Sequence, residues 1–202
     1  MAVYKTSNSG LLTRREYTSF LAGNTQFVPN YAVGAYDSIA TTTVGGGGAA
    51  SITFSSIPST YTHLQVRGIV RPGTNNADMR LTLNSDSGSN YARHRLIGNG
   101  GSVDAIGTAS TAFIGIFDAN GLQTGTASTF GAAVIDILDY ANTSKYKTVR
   151  VLSGNDNNGS GQVGLSSGLW QSTSATSTIT LVMSSGNFAE YSQFALFGIK
   201  GN

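Results

Sequence analysis

Two segments of the sequence match motifs that carry chemistry in other proteins. Gly159-Ser-Gly-Gln-Val-Gly164 has the glycine spacing of a dinucleotide-binding turn, and Gly164-Leu-Ser-Ser-Gly168 has that of a hydrolase nucleophile elbow. The first motif needs a following helix whose N-terminus holds a pyrophosphate, but a strand-like segment follows. The second needs a histidine later in the chain than its serine, and both histidines, His63 and His94, come earlier. In a chain with 26 glycines, we interpret both as chance matches.

A third segment resembles the first half of a calcium-binding loop. Asp156, Asn158 and Ser160 place oxygen atoms at loop positions one, three and five. The twelfth position is Ser167, where such a loop requires a bidentate glutamate. A plain surface loop is the alternative interpretation. We predict no cofactor, and these three residues are the one metal candidate in the sequence.

The remaining titratable residues form no recognisable catalytic set. The ten carboxylates are scattered, which leaves no acid pair for glycoside hydrolysis. Asp136 and Asp139 flank an apolar run, so we expect each to form a structural ion pair, with Arg150 or Lys147 as the nearest cations in sequence. The sequence therefore predicts that the protein is not an enzyme.

Trp170 is the only tryptophan and lies near the end of a predicted strand. Exposed aromatic rings stack on sugars in many lectin-like sandwiches, so glycan contact is one hypothesis for this residue. Partly buried packing is the other.

Composition excludes several classes of protein. Only 11% of residues are charged and the net charge is +2, so the chain lacks the clustered cations of a nucleic-acid binder. A hydrophobic content of 40% with nine Phe and nine Tyr argues against disorder. No cysteine, signal-peptide-like start or apolar run of membrane-spanning length is present, so we expect synthesis in the cytoplasm and no membrane insertion.

From about residue 51 onward, apolar residues alternate with polar ones, which predicts β-strands. Leu64, Val66 and Val70 fall on one face, with Gln65 and Arg67 on the other. Ten strands are predicted, at 51–55, 63–71, 79–83, 91–97, 111–117, 130–138, 148–152, 162–170, 178–183 and 192–199. Gly- and Asn-rich turns separate them, so we predict an all-β, antiparallel, jelly-roll-like sandwich.

Two of these strands, 111–117 and 130–138, are apolar on both faces. This pattern is typical of strands buried between two layers.

The first 48 residues differ from the rest. Residues 13–21 could form one short helix, with Thr13 as its N-cap and Glu16 completing a capping box. Residues 25–44 look extended without a clear period, and Gly45 to Gly48 reads as a flexible hinge. We therefore predict an arm with its hinge over 1–48 and a sandwich body over 49–202.

The arm is too apolar for a free tail and too short for a core of its own. We predict that it packs on a neighbouring subunit or another partner; folding back on its own sandwich is the alternative. The residues expected to make these contacts are Tyr4, Leu11, Leu12, Phe20 and Phe27.

Residues 38–66 and 157–189 contain no charged side chain. Long neutral stretches fit subunit contacts, where charged groups are depleted because their desolvation is costly. They also fit surfaces that face glycans. We expect a homo-oligomer, with a trimer suggested by fold-level analogy alone.

Three segments resemble parts of tailed-bacteriophage virion proteins: 55–67 (SSIPSTYTHLQVR), 132–140 (AAVIDILDY) and 191–200 (YSQFALFGIK). The similar proteins are small jelly-roll-like components of tail fibres, baseplates or head decorations. The resemblance covers most of residues 51–202 and implies a β-sandwich, self-association and attachment to other virion proteins through a terminal segment. It implies no functional residue.

These observations predict a non-enzymatic virion structural protein on the particle exterior, most consistent with a tail-fibre or baseplate module docked through its N-terminal arm. A capsid decoration (cement) protein and a carbohydrate-binding module for host attachment, contacting host surface glycan, are the alternatives.

Overall fold

A computed structural model of the chain describes residues 4–5, 11–12, 35–122 and 126–201, with the backbone alone for 4–5, 11–12 and 118–121. The described residues form β1 (Tyr4–Lys5), β2 (Leu11–Leu12), β3 (Tyr36–Thr43), β4 (Ser51–Phe54), β5 (His63–Val70), β6 (Ala77–Leu83), β7 (Tyr91–Gly98), β8 (Val103–Thr111), β9 (Ile114–Leu122), β10 (Gly131–Leu138), β11 (Lys147–Asp156), β12 (Gly161–Trp170), β13 (Ile179–Met183) and β14 (Gln193–Ile199). The chain divides into two units, residues 1–34 and residues 35–202.

In the first unit, β1 and β2 pair antiparallel, with Tyr4 opposite Leu12 and Lys5 opposite Leu11. The predicted helix over 13–21 lies outside the described residues.

The second unit is a sandwich of two antiparallel sheets. The large sheet has eight strands in the order β3-β14-β5-β10-β11-β12-β7-β8, and the small sheet has four in the order β4-β13-β6-β9. The chain crosses between the sheets at eight of the eleven connections from β3 to β14. The predicted all-β, antiparallel sandwich is confirmed.

The core lies between the inner faces of the two sheets. The period-two pattern sends Leu64, Val66 and Ile135 of the large sheet inward against Leu81 and Ile179 of the small sheet, and all five are almost fully buried. The sheets approach closely where Gly168 of β12 meets Ile114 of β9, because a Cβ atom there would lie 2.6 Å from the Ile114 side chain. The Ser153 hydroxyl also spans the layers, donating a hydrogen bond of 2.8 Å to the carbonyl of Ile116.

The observed division after residue 34 comes fourteen residues before the predicted boundary at residue 48. Residues 36–43 form β3, which pairs along its length with β14, and Val44 is buried in the core. Gly45 to Gly48 is a tight turn rather than a flexible hinge: the amide of Gly48 donates to the carbonyl of Gly45, and Gly47 has a φ of 92°. A Cβ atom at Gly48 would lie 2.6 Å from the Phe188 carbonyl oxygen, so position 48 requires glycine because the chain turns here against the loop before β14.

Each of the ten predicted strands overlaps an observed one, whereas β3 and β8 were not predicted. The pattern in 130–138 indicated a strand covered on both faces, but β10 is covered on its inner face only: Ala132 is exposed and Val134 half-buried on the outer face.

Nothing helical in the described part of the chain has the length and apolar content needed to cross a bilayer.

Candidate functional site

The outer face of the large sheet carries exposed apolar and polar side chains in a regular array. Strand pairing places its outward-facing residues in rows that run across the sheet, perpendicular to the strands. Two of these rows are mainly apolar and the next is polar.

The apolar rows follow from the register of six neighbouring strands, β5-β10-β11-β12-β7-β8. Val134 lies opposite Leu152, Leu152 opposite Leu165, and Leu165 opposite Leu96, so one row crosses from β10 to β7. Together the rows form a surface that we call the apolar patch, made by Ile69, Leu96, Val103, Ala105, Ala132, Val134, Leu152, Val163 and Leu165.

None of the described residues covers the patch. Leu152 is 52% exposed, Val163 58% and Leu165 55%, at the middle of the sheet rather than at its edges. Contiguous apolar surface of this kind marks interaction sites on soluble proteins.

The polar row borders the patch on one side. It runs through Gln65, Asp136, Arg150, Ser167 and His94, each lying opposite the next on the neighbouring strand. Gln65 Nε2 donates to Asp136 Oδ1 at 2.7 Å, and Arg67 Nε donates to Gln65 Oε1 at 2.7 Å.

Arg150 is the charged residue of this row that lacks a partner among the described residues. It is exposed, and it makes no hydrogen bond or ion pair with any described residue, although Asp136 is its direct cross-strand neighbour. The predicted Asp136–Arg150 ion pair is therefore wrong within a single chain, because the amide of Gln65 occupies the Asp136 carboxylate instead.

Arg67 closes one end of the array against two aromatic rings. Its guanidinium carbon lies 5.6 Å from the centroid of Tyr36 and 5.5 Å from that of Phe197, which are themselves packed edge to face. Cation–π contacts of this type stabilise the charge and hold the side chain in place.

Two depressions lie on this face. One, of about 510 Å³, is centred on the polar row and includes His94, Asp136, Arg150, Leu152 and Ser167. The other, of about 570 Å³, lies where the β11–β12 hairpin ends and includes Phe130, Ala132, Asp156 and Val163.

The candidate calcium residues surround this hairpin end. Asp156 and Gly161 close the strand ladder, and the carboxylate of Asp156 accepts a hydrogen bond of 3.1 Å from the amide of Gly159. Asn158, with a φ of 63°, and Ser160 are exposed. The turn thus uses the Asp156 carboxylate for its own geometry, as a plain surface loop would, and calcium binding here stays an untested hypothesis. The described residues contain no group of three or more His, Cys, Asp or Glu placed to hold a metal ion.

Trp170 lies in the core. It is 3% exposed, its ring stacks on Tyr91 with centroids 6.3 Å apart, and its Nε1 donates to Asp86 Oδ2 at 2.7 Å. The indole has no free face on which a sugar could stack, so packing, the alternative interpretation, describes this residue.

The Asp86 carboxylate collects hydrogen bonds at the rim of the core. The indole N–H of Trp170, followed by the amide of Asn90, lowers the pKa of Asp86. Burial raises the pKa of the stacked Tyr91 to about 12.

The second predicted acid, Asp139, pairs with Lys145 at 2.7 Å rather than with Lys147, and this contact lowers the pKa of Asp139. Lys147 is fully buried at the start of β11. Its Nζ donates to the backbone carbonyls of Asn142, Lys145 and Thr173. Burial lowers the pKa of Lys147 because the charged form is harder to solvate there.

The nucleophile-elbow match lies within β12, and the dinucleotide-turn match begins two residues before β12 and continues into it. Ser166 is in the middle of β12, so it has none of the strand-to-helix geometry of a nucleophile elbow, and no helix follows Gly164. Of the predicted arm contacts, Tyr4 lies in β1 and Leu11 and Leu12 in β2, whereas Phe20 and Phe27 lie outside the described residues.

The apolar patch was missed in the sequence because its residues come from six separate strands. The outward apolar residues of β10 were its only local signal. No protein-family model, curated protein or solved structure matches this chain.

Proposed function

We propose that this protein is a non-enzymatic structural component of a bacteriophage virion, displayed on the particle exterior as a tail-fibre or baseplate module. In this proposal the sandwich, residues 35–202, makes the outer contacts and residues 1–34 attach it to other virion proteins.

The apolar patch carries the proposal. A soluble monomer avoids contiguous exposed aliphatic side chains because they promote association, whereas an assembly protein needs them. The low charge of the chain and its two neutral stretches support the same role, since β12, which supplies Val163 and Leu165, lies inside the stretch 157–189. The virion as the location is proposed from the sequence resemblance of residues 51–202 alone.

Mass spectrometry of purified virions from the host that expresses this chain tests the proposal, and immunogold electron microscopy gives the position. We expect the protein on the tail, in a few to some tens of copies. Hundreds of copies on the head would favour the capsid decoration alternative, and absence from purified particles would contradict both.

A variant lacking residues 1–34 tests the attachment. Because β3 to β14 make up the sandwich, the shortened chain should fold and yet be missing from virions. Normal incorporation would show that attachment does not need this segment.

A carbohydrate-binding adhesion module is the second candidate. The depression at the polar row favours it, because His94 and Ser167 offer hydrogen-bonding groups beside Arg150 in a recess of about 510 Å³. A glycan array with the wild type and Ser167→Ala tests this candidate. Binding that is weakened by the substitution would support it, and no binding on a broad array would remove it.

A further inference from the structure

We propose that the outer face of the large sheet packs against the same face of a second copy of this chain, about a twofold axis that runs parallel to the strands between β10 and β11. This deepens the assembly role proposed above by naming the partner of the apolar patch.

The sequence of β10 supplies the first argument. Apart from Asp136, its residues are apolar on both faces, as in strands that are covered on both sides, but the described residues cover only the inner face. Val134 and Ala132 face outward into the same rows as Leu152 and Val163. A second protein layer on this face would give β10 the environment that its sequence indicates.

The sheet itself defines the position of the axis. The midline of the eight strands falls between β10 and β11, with four strands on each side. A twofold rotation about this line therefore places the second copy so that its outer face covers the whole outer face of the first. A twofold interface must be self-complementary in this way.

The charges are arranged as this axis requires. Asp136 and Arg150 are direct neighbours on the two strands that flank the midline, so each would face the other residue of the second copy. Arg150 has no partner among the described residues of its own chain and is exposed. Two reciprocal Arg150–Asp136 contacts would satisfy both copies.

The rows also match. An axis parallel to the strands maps each row onto itself, so the polar row faces the polar row. The apolar rows face apolar rows except at Arg67, which lies opposite Val134 on β5 and would face Leu165 of the second copy. Val134 meets Leu152 of the second copy and Ile69 meets Val163. An axis perpendicular to the strands would instead place the polar row on apolar side chains, where unpaired charge is costly.

The area of the face fits a dimer of modest affinity. Eight strands about 4.8 Å apart span about 34 Å, and the three rows cover about 13 Å along the strands, which gives about 450 Å². A standard interface buries about 800 Å² on each partner, so this interface lies at the small end.

Sedimentation equilibrium of the full chain tests the proposal. We expect the wild type to have twice the chain mass of 20.9 kDa. Leu152→Asp should weaken the dimer by about 100-fold or more, because it buries two carboxylates in apolar surroundings. Val163→Lys should act in the same way and serves as a second variant if the first fails to fold.

Tyr146→Asp is the matched control, since Tyr146 is also 52% exposed but lies outside the patch. We expect it to leave the dimer unchanged. Circular dichroism of each variant shows that the sandwich is intact.

A charge swap tests the axis. Arg150→Asp alone should weaken the dimer by about tenfold or more, because it places two carboxylates opposite each other across the midline. The double variant Asp136→Arg with Arg150→Asp should recover most of the wild-type affinity. Failure of the double variant to recover overturns this axis.

A monomeric wild type, a trimeric mass, or an oligomer insensitive to both Leu152→Asp and Val163→Lys overturns the proposal. None of these results bears on whether the protein is part of the virion, which mass spectrometry of the particles decides. The dimer and the virion role can therefore fail independently.

Discussion

The two faces of the large sheet use the same kind of side chain for different purposes. On the inner face, Ile135 and Val149 are 1% and 0% exposed, packed against the small sheet. On the outer face of the same strands, Val134 is half-buried and Leu152 is 52% exposed. The aliphatic chemistry is similar, but only the inner set removes apolar area from water within one chain.

The polar residues differ in the same way. Lys147 on the inner face is fully buried and donates to three carbonyls, whereas Arg150, three residues along the same strand, is exposed and unpartnered among the described residues. Among the described residues, the inner-face side chains are buried and Lys147 has hydrogen-bond partners, whereas the outer-face aliphatic side chains are exposed and Arg150 has no partner. We therefore expect inner-face substitutions to change folding stability and outer-face substitutions to change association.

Truncation of one aliphatic side chain on each face should show the largest contrast. We expect Ile135→Ala to lower the free energy of unfolding by about 2–5 kcal/mol, because it leaves a cavity between the sheets. Leu152→Ala should change it by less than about 0.5 kcal/mol at concentrations where the chain is monomeric. Urea unfolding followed by circular dichroism measures both, and equal losses would contradict the division of roles.

The two cations of β11 should show a smaller contrast. Lys147→Met keeps the apolar stem but leaves three carbonyls without their donor, so we expect a loss of about 2–4 kcal/mol. Arg150→Met should cost less than about 0.5 kcal/mol in the monomer, since it breaks no contact there. A small effect of Lys147→Met, measured in the same urea experiment, would show that water replaces the ammonium group at these carbonyls.

The smallest expected effect is a loss of folding stability at low pH, caused by Asp86 and Asp139. The pKa of Asp86 is lowered by the indole of Trp170, and the pKa of Asp139 by Lys145. Carboxyl groups with a lowered folded pKa contribute stability that is complete above their unfolded pKa of about 3.9 and is lost as the pH falls through the folded value.

We therefore expect the melting temperature to fall as the pH decreases below about 4–5. Asp86→Asn should make this fall shallower, because the group that takes up the proton has been removed. An unchanged pH profile in Asp86→Asn would show that Asp86 does not contribute to acid sensitivity.

The strands that bury one face were predictable from the sequence, because burial of one face requires apolar and polar residues to alternate along the strand. Strands β5 and β11 show this directly, with Leu64, Val66 and Val149 inward. The two unpredicted strands of the sandwich, β3 and β8, are the two edges of the large sheet. Their residues are half-buried or exposed on both faces, so no alternation was required of them.

The candidate site was less predictable, for a physical reason. The patch depends on register between strands that are distant in sequence, such as Leu96 of β7 opposite Leu165 of β12. Local patterns carry no information on register. The apolar outer residues of β10 indicated that a second layer covers this strand. They did not indicate that no described residue of the same chain supplies that layer. Trp170 was ambiguous because burial depends on its stacking with Tyr91, 79 residues earlier.

The position of the last two strands has a consequence for how the chain folds. β14 lies between β3 and β5, and β13 lies between β4 and β6, so interior strands of both sheets leave the ribosome after all of those neighbours. Until residues 179–199 emerge, β3 and β4 lack the partners that hold them in the sandwich. Pairings over such long sequence separations close slowly. Closure of both sheets therefore depends on β13 and β14, and β3 and β4 stay unpaired until these two strands are available.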